Sequence, residues 1–375
     1  MRRPSSWRVS SDYIGAGRYI LDDERIVVGT EYGVQCIPRP GSGRGTAEGW
    51  KVDLGSRSIG LLRGPNDTVL AASVTGIFAI SSDGDVKWGT HSFKEVVNEP
   101  VAFQDGFLLT TRSAIHWLKE WNGSEWRFEF AEVLGKSVQE IRLINLFEID
   151  HHVVAGVVDY DSGIGRIVVL GKNGKRSWMS DPGPISDLFP SGRGTFVWSQ
   201  TGYGKFETRM SRLDGHDVWQ KDFAGIGTVL PDGSLGLIVG SNEAPEWDDW
   251  EYRQLSPAGK VEVALRGNGR TAVRPVCKKD GTIYFLGSVL PLDPSGSRAD
   301  YTSFLAMPQE VRFQHLMGIK TQLPVYDVYL HRYTAGAAQL EIVDKVSGSY
   351  SFGDLQISGE DLVYCDGRDL VGIEA

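Results

Sequence analysis

Acidic and aromatic side chains crowd one stretch of this chain, SNEAPEWDDWEYR at 241–253. There Glu243, Glu246, Asp248, Asp249 and Glu251 are interleaved with Trp247, Trp250 and Tyr252. Exposed tryptophans among charges are unusual, because burying an indole is normally favourable. Two binding chemistries suit the pattern: rings that anchor and carboxylates that steer a basic partner protein, or rings that stack on a sugar or cationic ligand. The competing reading is structural, with Trp247 and Trp250 packed under their own loop and an acidic rim left in water.

Asp159-Tyr160-Asp161-Ser162-Gly163 matches DxDxG, the opening of several calcium loops, in which alternate oxygens and a glycine bend surround the cation. Only the opening is present, since Arg166 and Val168 follow where further ligands would stand. This makes Asp159 and Asp161 a short calcium candidate. The adjacent His151 and His152 occupy a strand-like turn, where neighbouring side chains point apart, so they read as polar turn residues rather than metal ligands.

These residues hang on a repeat. SSDGDVKW, GKNGKRSW and RLDGHDVW each set a glycine (Gly84, Gly174, Gly215) four residues before a tryptophan (Trp88, Trp178, Trp219). Looser copies place Trp50 and Trp126, and two degenerate ones keep the glycine but lose the ring, at Gly259 with Val263 and Gly336 with Leu340. Trp7 stands alone near the N-terminus. A second series runs out of phase with the first: Asp/Gly-type turns precede apolar β-branched runs, from Asp22-Asp23 before RIVVG to Glu360-Asp361 before LVYC. That is hairpin chemistry. Eight such turns at intervals of about 40 residues give four short antiparallel strands per unit, and closing the units into a ring removes most exposed sheet edges. The expectation is an all-β propeller of eight four-stranded antiparallel blades, with seven as the alternative. The N-terminal strand carrying Trp7 completes the blade begun by the C-terminal strands. Trp7, Trp50, Trp88, Trp126, Trp178 and Trp219 dock the blades.

Composition narrows the partners. The 46 glycines exceed the background of roughly 7%, without a collagen period. A formal charge of −9 argues against gripping a nucleic-acid backbone, and no apolar run approaches the roughly 20 residues that span a bilayer. Cys36, Cys277 and Cys365 are far apart and read as reduced thiols. MRRPSSWRVS has no apolar stretch behind its arginines, so the expected location is the cytoplasm.

The GxxxW turns, with segments such as RPVCKKDGTIYFLGS (274–288) and EPVAFQDGFLLTT (99–111), resemble the PQQ-type repeat. That repeat occurs in quinoprotein dehydrogenases and in the outer-membrane assembly propeller of Gram-negative bacteria. The resemblance implies fold rather than chemistry. The adjacent cysteine pair that quinoproteins set against their cofactor is missing, which argues against pyrroloquinoline quinone. No cofactor is expected.

Function then rests on departures from the repeat. The second-to-third strand connections are short in blades 1–3 but lengthen to DYDSGIGR (159–166), QTGYGKFE (200–207, with Tyr203) and 241–253 in blades 4–6. Blade 7 carries an insertion over 289–324 with a short helix at about 308–317. Pro308 starts that helix, Gly318 caps it, and Phe313, Leu316 and Met317 form its apolar face. His315 on this helix, His331 on the following strand and Asp248, Asp249 and Asp300 are neighbours by blade order, which would suit acid–base chemistry. The leading expectation is a non-catalytic scaffold that binds a protein through the long loops of blades 4–7, with Tyr203, Glu246, Trp247, Asp248, Asp249, Trp250, Tyr252 and Phe313 at the contact. The alternative is a lyase- or hydrolase-like enzyme, or a sugar or small-molecule binder. Its funnel-mouth pocket would lie under the insertion and use Asp159, Asp161, Asp248, Asp249 or His315.

Overall fold

A computed structural model describes residues 6–10, 13–20, 25–38, 48–64, 68–93, 95–119, 124–135, 141–192, 194–202, 205–240, 249–268, 274–289, 327–346, 355–358, 361–366 and 369–374. These residues form eight four-stranded antiparallel sheets arranged as the blades of a propeller. Seven blades use four consecutive strands. The eighth takes three from the C-terminus (Gln356–Ser358, Asp361–Asp366, Asp369–Glu374) and its outer strand, Ser6–Ser10, from the N-terminus. Trp7 lies opposite Gly372, the position that Trp88 takes opposite Ala79 in blade 2. The seven-blade alternative is set aside.

The blades have no common centre of packing. Eight buried clusters fill the eight seams between neighbouring blades. In blade 4, Val153 and Ala155 face the seam with blade 3, while Val154 and Val158 face blade 5. Because successive side chains leave a strand on opposite sides, a sheet buried on both faces needs unbroken apolar runs such as VVAGVV rather than alternation. Among the described residues the one α-helix is a single turn, Ala131–Leu134.

The glycine–tryptophan frame supplies a second layer of contact. In blade 6 the turn after the third strand is closed by Ser256 N–H on Lys260 O (2.8 Å) and Gly259 N–H on Ser256 O (2.8 Å). The pairing shifts register between Gln254 and Leu255, and Gly259 sits at φ +79°. That is a type I turn with a glycine bulge, which calls for a residue at home in the left-handed region. The bare Cα of each such glycine lies under the tryptophan of the preceding blade: Gly84 under Trp50, Gly174 under Trp126, Gly215 under Trp178, Gly259 under Trp219. Three of these indoles also donate to a carbonyl in the turn they cover, Trp50 to Ser82 (2.8 Å), Trp126 to Lys172 (3.2 Å) and Trp219 to Pro257 (3.2 Å). Trp50, Trp126, Trp178 and Trp219 are therefore half-buried clasps on the next blade, while Trp88 is half-buried against the seam between blades 2 and 3 and Trp7 is buried. Where Val263 replaces tryptophan in blade 6, Gly336 of blade 7 has nothing within 4 Å of the space a Cβ would take. That seam has no clasp.

Candidate functional site

Antiparallel order sends the first-to-second and third-to-fourth turns to one face of the ring and the second-to-third connections to the other. Among the described residues the tips of the first face are small or polar: Asp83-Gly84, Asp105, Lys172-Asn173, Asp214 and Asp280-Gly281. The other face is different. Tyr32 (61% exposed) and Val74 (37%) sit in the tight connections of blades 1 and 2, Tyr160 (63%) and Ile164 (39%) in that of blade 4, and Phe206 (38%) beside that of blade 5. Among the described residues these are five of the nine large exposed apolar side chains. The other four, Val86, Val218, Val261 and Ile342, lie on outer strands at the rim. The sequence signal for these tips was an apolar residue in a connection where Gly, Asn or Asp is usual.

The blade 4 connection is locked from below. Asp159 is buried, and its carboxylate accepts from Asp161 N–H (3.2 Å) and Ser162 Oγ–H (3.0 Å), while its carbonyl accepts from Gly163 N–H (2.9 Å). The DxDxG segment is thus an aspartate-capped turn that lifts Tyr160 into solvent. The Asp159 carboxylate serves the loop itself, and Asp161 faces water. His151, at φ +62°, and His152 occupy the opposite face as turn residues.

Within 241–253, read from the sequence as one connecting loop, Trp250 and Tyr252 lie on a strand instead. Asp249–Leu255 is the third strand of blade 6, paired on both sides. Trp250 is 3% exposed and Tyr252 is fully buried, so neither can touch a partner. Their partners are Phe285 and His331 of blade 7: Trp250 stands edge-on to both rings at 5.1 and 5.2 Å, and Phe285 stacks on His331 at 5.1 Å. Glu251 and Arg253 point the other way and pair at 2.6 Å. The signal was strand alternation: W-E-Y-R places two rings on one side and an ion pair on the other. His331 is displaced from acid–base duty, because burial holds its imidazole down to about 4 and hence neutral. Trp250 Nε1, Tyr252 Oη and both His331 ring nitrogens are buried without a hydrogen bond.

Innermost strands add a polar link across four blades. Leu188 O in blade 5 accepts from Asn145 of blade 4 (2.8 Å) and from Arg274, which leads into blade 7 (3.2 Å). Arg274 also pairs with the buried Asp187 of blade 5, which accepts from Gly227 N–H of blade 6 (3.1 Å). Burial pushes the Asp187 carboxyl up, and the Arg274 guanidinium opposes that rise.

Tyr203, Glu246, Trp247, Asp248, Phe313 and His315 lie outside the described residues, as do the Asp249 side chain, Asp300 and the helix at 308–317. The second strand of blade 7 ends at Val289, paired with Asp327 at the start of the third, which puts the insertion between those two strands. No three His, Cys, Asp or Glu side chains among the described residues are grouped to hold a metal.

Comparison with solved structures finds many similar chains, among them the following three. BamB from Moraxella catarrhalis is 17% identical, with a TM-score of 0.49, over 70% of this chain and 76% of that one. KlHsv2 with its loop 6CD replaced by a Gly-Ser linker is 10% identical, with a TM-score of 0.49, over 77% and 96%. A Bacteroides caccae protein of unknown function is 11% identical, with a TM-score of 0.35, over 57% and 80%. No family model matches, and no curated protein matches either.

Proposed function

We propose that the chain is a PQQ-like propeller that serves as a non-catalytic scaffold, binding a partner protein on the face of the second-to-third strand connections. The observation that carries this reading is the contrast between the faces. Tyr32, Val74, Tyr160, Ile164 and Phe206 stand in water at the tips of one face, and the described tips of the other are small or polar. Apolar and aromatic anchors raised on a rigid frame are what a protein interface uses at its centre. The long connections of blades 4–7 leave on this same side, and the carboxylates of 243–251 would speed the approach of a basic partner. We place the scaffold in the cytoplasm, where a thiol such as that of Cys277 stays reduced.

Site-specific photocrosslinking tests this. A photoreactive residue at Tyr32, Tyr160 or Phe206 should capture one common protein from native lysate. The same residue at Asp83, Asp105 or Asp214 on the opposite face should capture none. Equal capture from both faces, or capture from neither, refutes the proposal.

A further inference from the structure

Between blades 4 and 5 the outer strands part and leave a groove of about 310 Å³, within the range of ligand pockets, roughly 300–1,000 Å³. Its floor and walls differ from the tips considered above. Half-buried Trp178 of blade 4 supplies ring surface, buried Trp198 of blade 5 lies beneath Arg209, and Gln200, Glu207, Arg209 and Asp217 supply planar polar groups.

Those polar groups are fixed by one another. The Trp198 indole donates to Ser211 Oγ (2.9 Å), which donates to Asp217 (2.6 Å). Asp217 pairs with Arg209 (3.0 Å), and Arg209 makes a two-point contact with Glu207 (2.9 and 3.1 Å). Gln220 completes the chain by donating to Glu207 (2.7 Å). The Arg209 guanidinium also lies over the Trp198 ring, 5.2 Å from its centre. Burial works against the Arg209 charge, and the Glu207 and Asp217 hydrogen bonds outweigh it, so this cation is permanent. Side chains held this way have already lost their rotamer freedom, which lowers the cost of binding to them.

Two atoms in the wall lack a partner. Gln200 is 3% exposed, its amide packs where a side chain at Gly183 would lie, and its Oε1 accepts nothing. Arg209 Nε donates to nothing. An unpaired buried donor and an unpaired buried acceptor lining one groove are costly and call for an occupant, and a hydroxyl, which both donates and accepts, suits the two together. Asp181, Glu207 and Asp217 against Arg209 leave the lining net negative, which disfavours phosphates and carboxylates.

We infer that this groove binds a neutral saccharide, with a ring C–H face on the Trp178 indole and hydroxyls on Gln200, Glu207, Arg209 and Asp217. It is a site separate from the partner-binding face.

The test uses the full chain with glucose, galactose, N-acetylglucosamine, maltose and cellobiose. It follows saturation-transfer NMR and the blue shift of tryptophan emission. At least one of the five sugars binds saturably. Glu207→Gln, with unchanged circular dichroism and melting, weakens that sugar at least about tenfold, and its 6-phosphate binds at least about tenfold more weakly than the parent. Tyr160→Ser leaves sugar binding intact, which separates this site from the partner-binding face. Should Glu207→Gln misfold, Gln200→Ala takes its place with the same expected loss. Saturable binding by none of the five sugars, binding indifferent to these substitutions, or preference for the phosphorylated sugar overturns the inference.

Discussion

The clasped and unclasped turns form an internal control. Gly259 and Gly336 hold nearly the same backbone angle, φ +79° and +83°. Alanine at either pays the left-handed strain of a Cβ-bearing residue, about 1–2 kcal/mol. At Gly336 that is the whole cost, because the new Cβ meets nothing within 4 Å. At Gly259 the Cβ would stand 2.7 Å from Trp219 Cγ, inside the 3.0 Å that Cβ contacts essentially never cross. The indole must lift, which stretches its 3.2 Å hydrogen bond to Pro257 O. Losing that bond costs about 1 kcal/mol, and re-exposing part of the ring costs about 1 kcal/mol more. Gly259→Ala should therefore destabilise by about 3–4 kcal/mol against about 1–2 kcal/mol for Gly336→Ala. Urea midpoints at matched slopes measure both, and Trp219→Leu provides the double-mutant cycle. In the Trp219→Leu background the excess at Gly259 should vanish. Equal losses at the two glycines, or an excess that survives removal of the indole, would refute the clasp as a source of stability.

Three more outcomes follow from the seams and the innermost strands. Trp250→Ala should cost about 3–5 kcal/mol of stability, as large buried truncations do, and a thermal melt unchanged from wild type would mean the ring is not core. His331, neutral when folded and titrating near 4 there against 6.5 in the open chain, takes up its proton first in the unfolded state. Its share of stability is complete above about pH 6.5 and lost as pH falls toward 4, so His331→Phe should reduce the slope of the stability profile between those values, with buried His116, also held down to about 4, keeping its own share, and an unchanged slope would exclude a contribution from His331. Asp187→Ala should cost about 3–5 kcal/mol by stranding Arg274, while Asp187→Leu with Arg274→Met recovers most of it in denaturant titration.

The ring was legible because its punctuation is chemical. Asp/Gly turns and the glycine four residues before each tryptophan mark strand ends that tertiary packing does not override, and Trp7 fell in frame with the others. What escaped was the direction of individual rings. Trp250 and Tyr252 looked loop-borne because the strand starts inside a run of carboxylates, and charge density masked the alternation that buries them. The frame tryptophans read as blade docking, but a sequence shows a ring's spacing and not that its neighbour is the next blade's glycine. The tips Tyr32 and Phe206 passed unnoticed because single apolar residues in short connections are ordinary until topology gathers them on one face. The groove between blades 4 and 5 joins residues of two repeats, and no periodicity announces a space between units.

The eight separate seam clusters have a mechanical consequence. In an open stack of repeats, each unit leans on its neighbours and the end units fray first. A closed ring has no end unit. Every blade is gripped from two sides, so opening one seam turns the ring into a split washer but sets no blade free, and a second seam must part before a blade can leave. The seam between blades 6 and 7, without its clasp and with four orphaned polar atoms, is where the first split belongs. Damage there alone should leave the other seven interfaces intact.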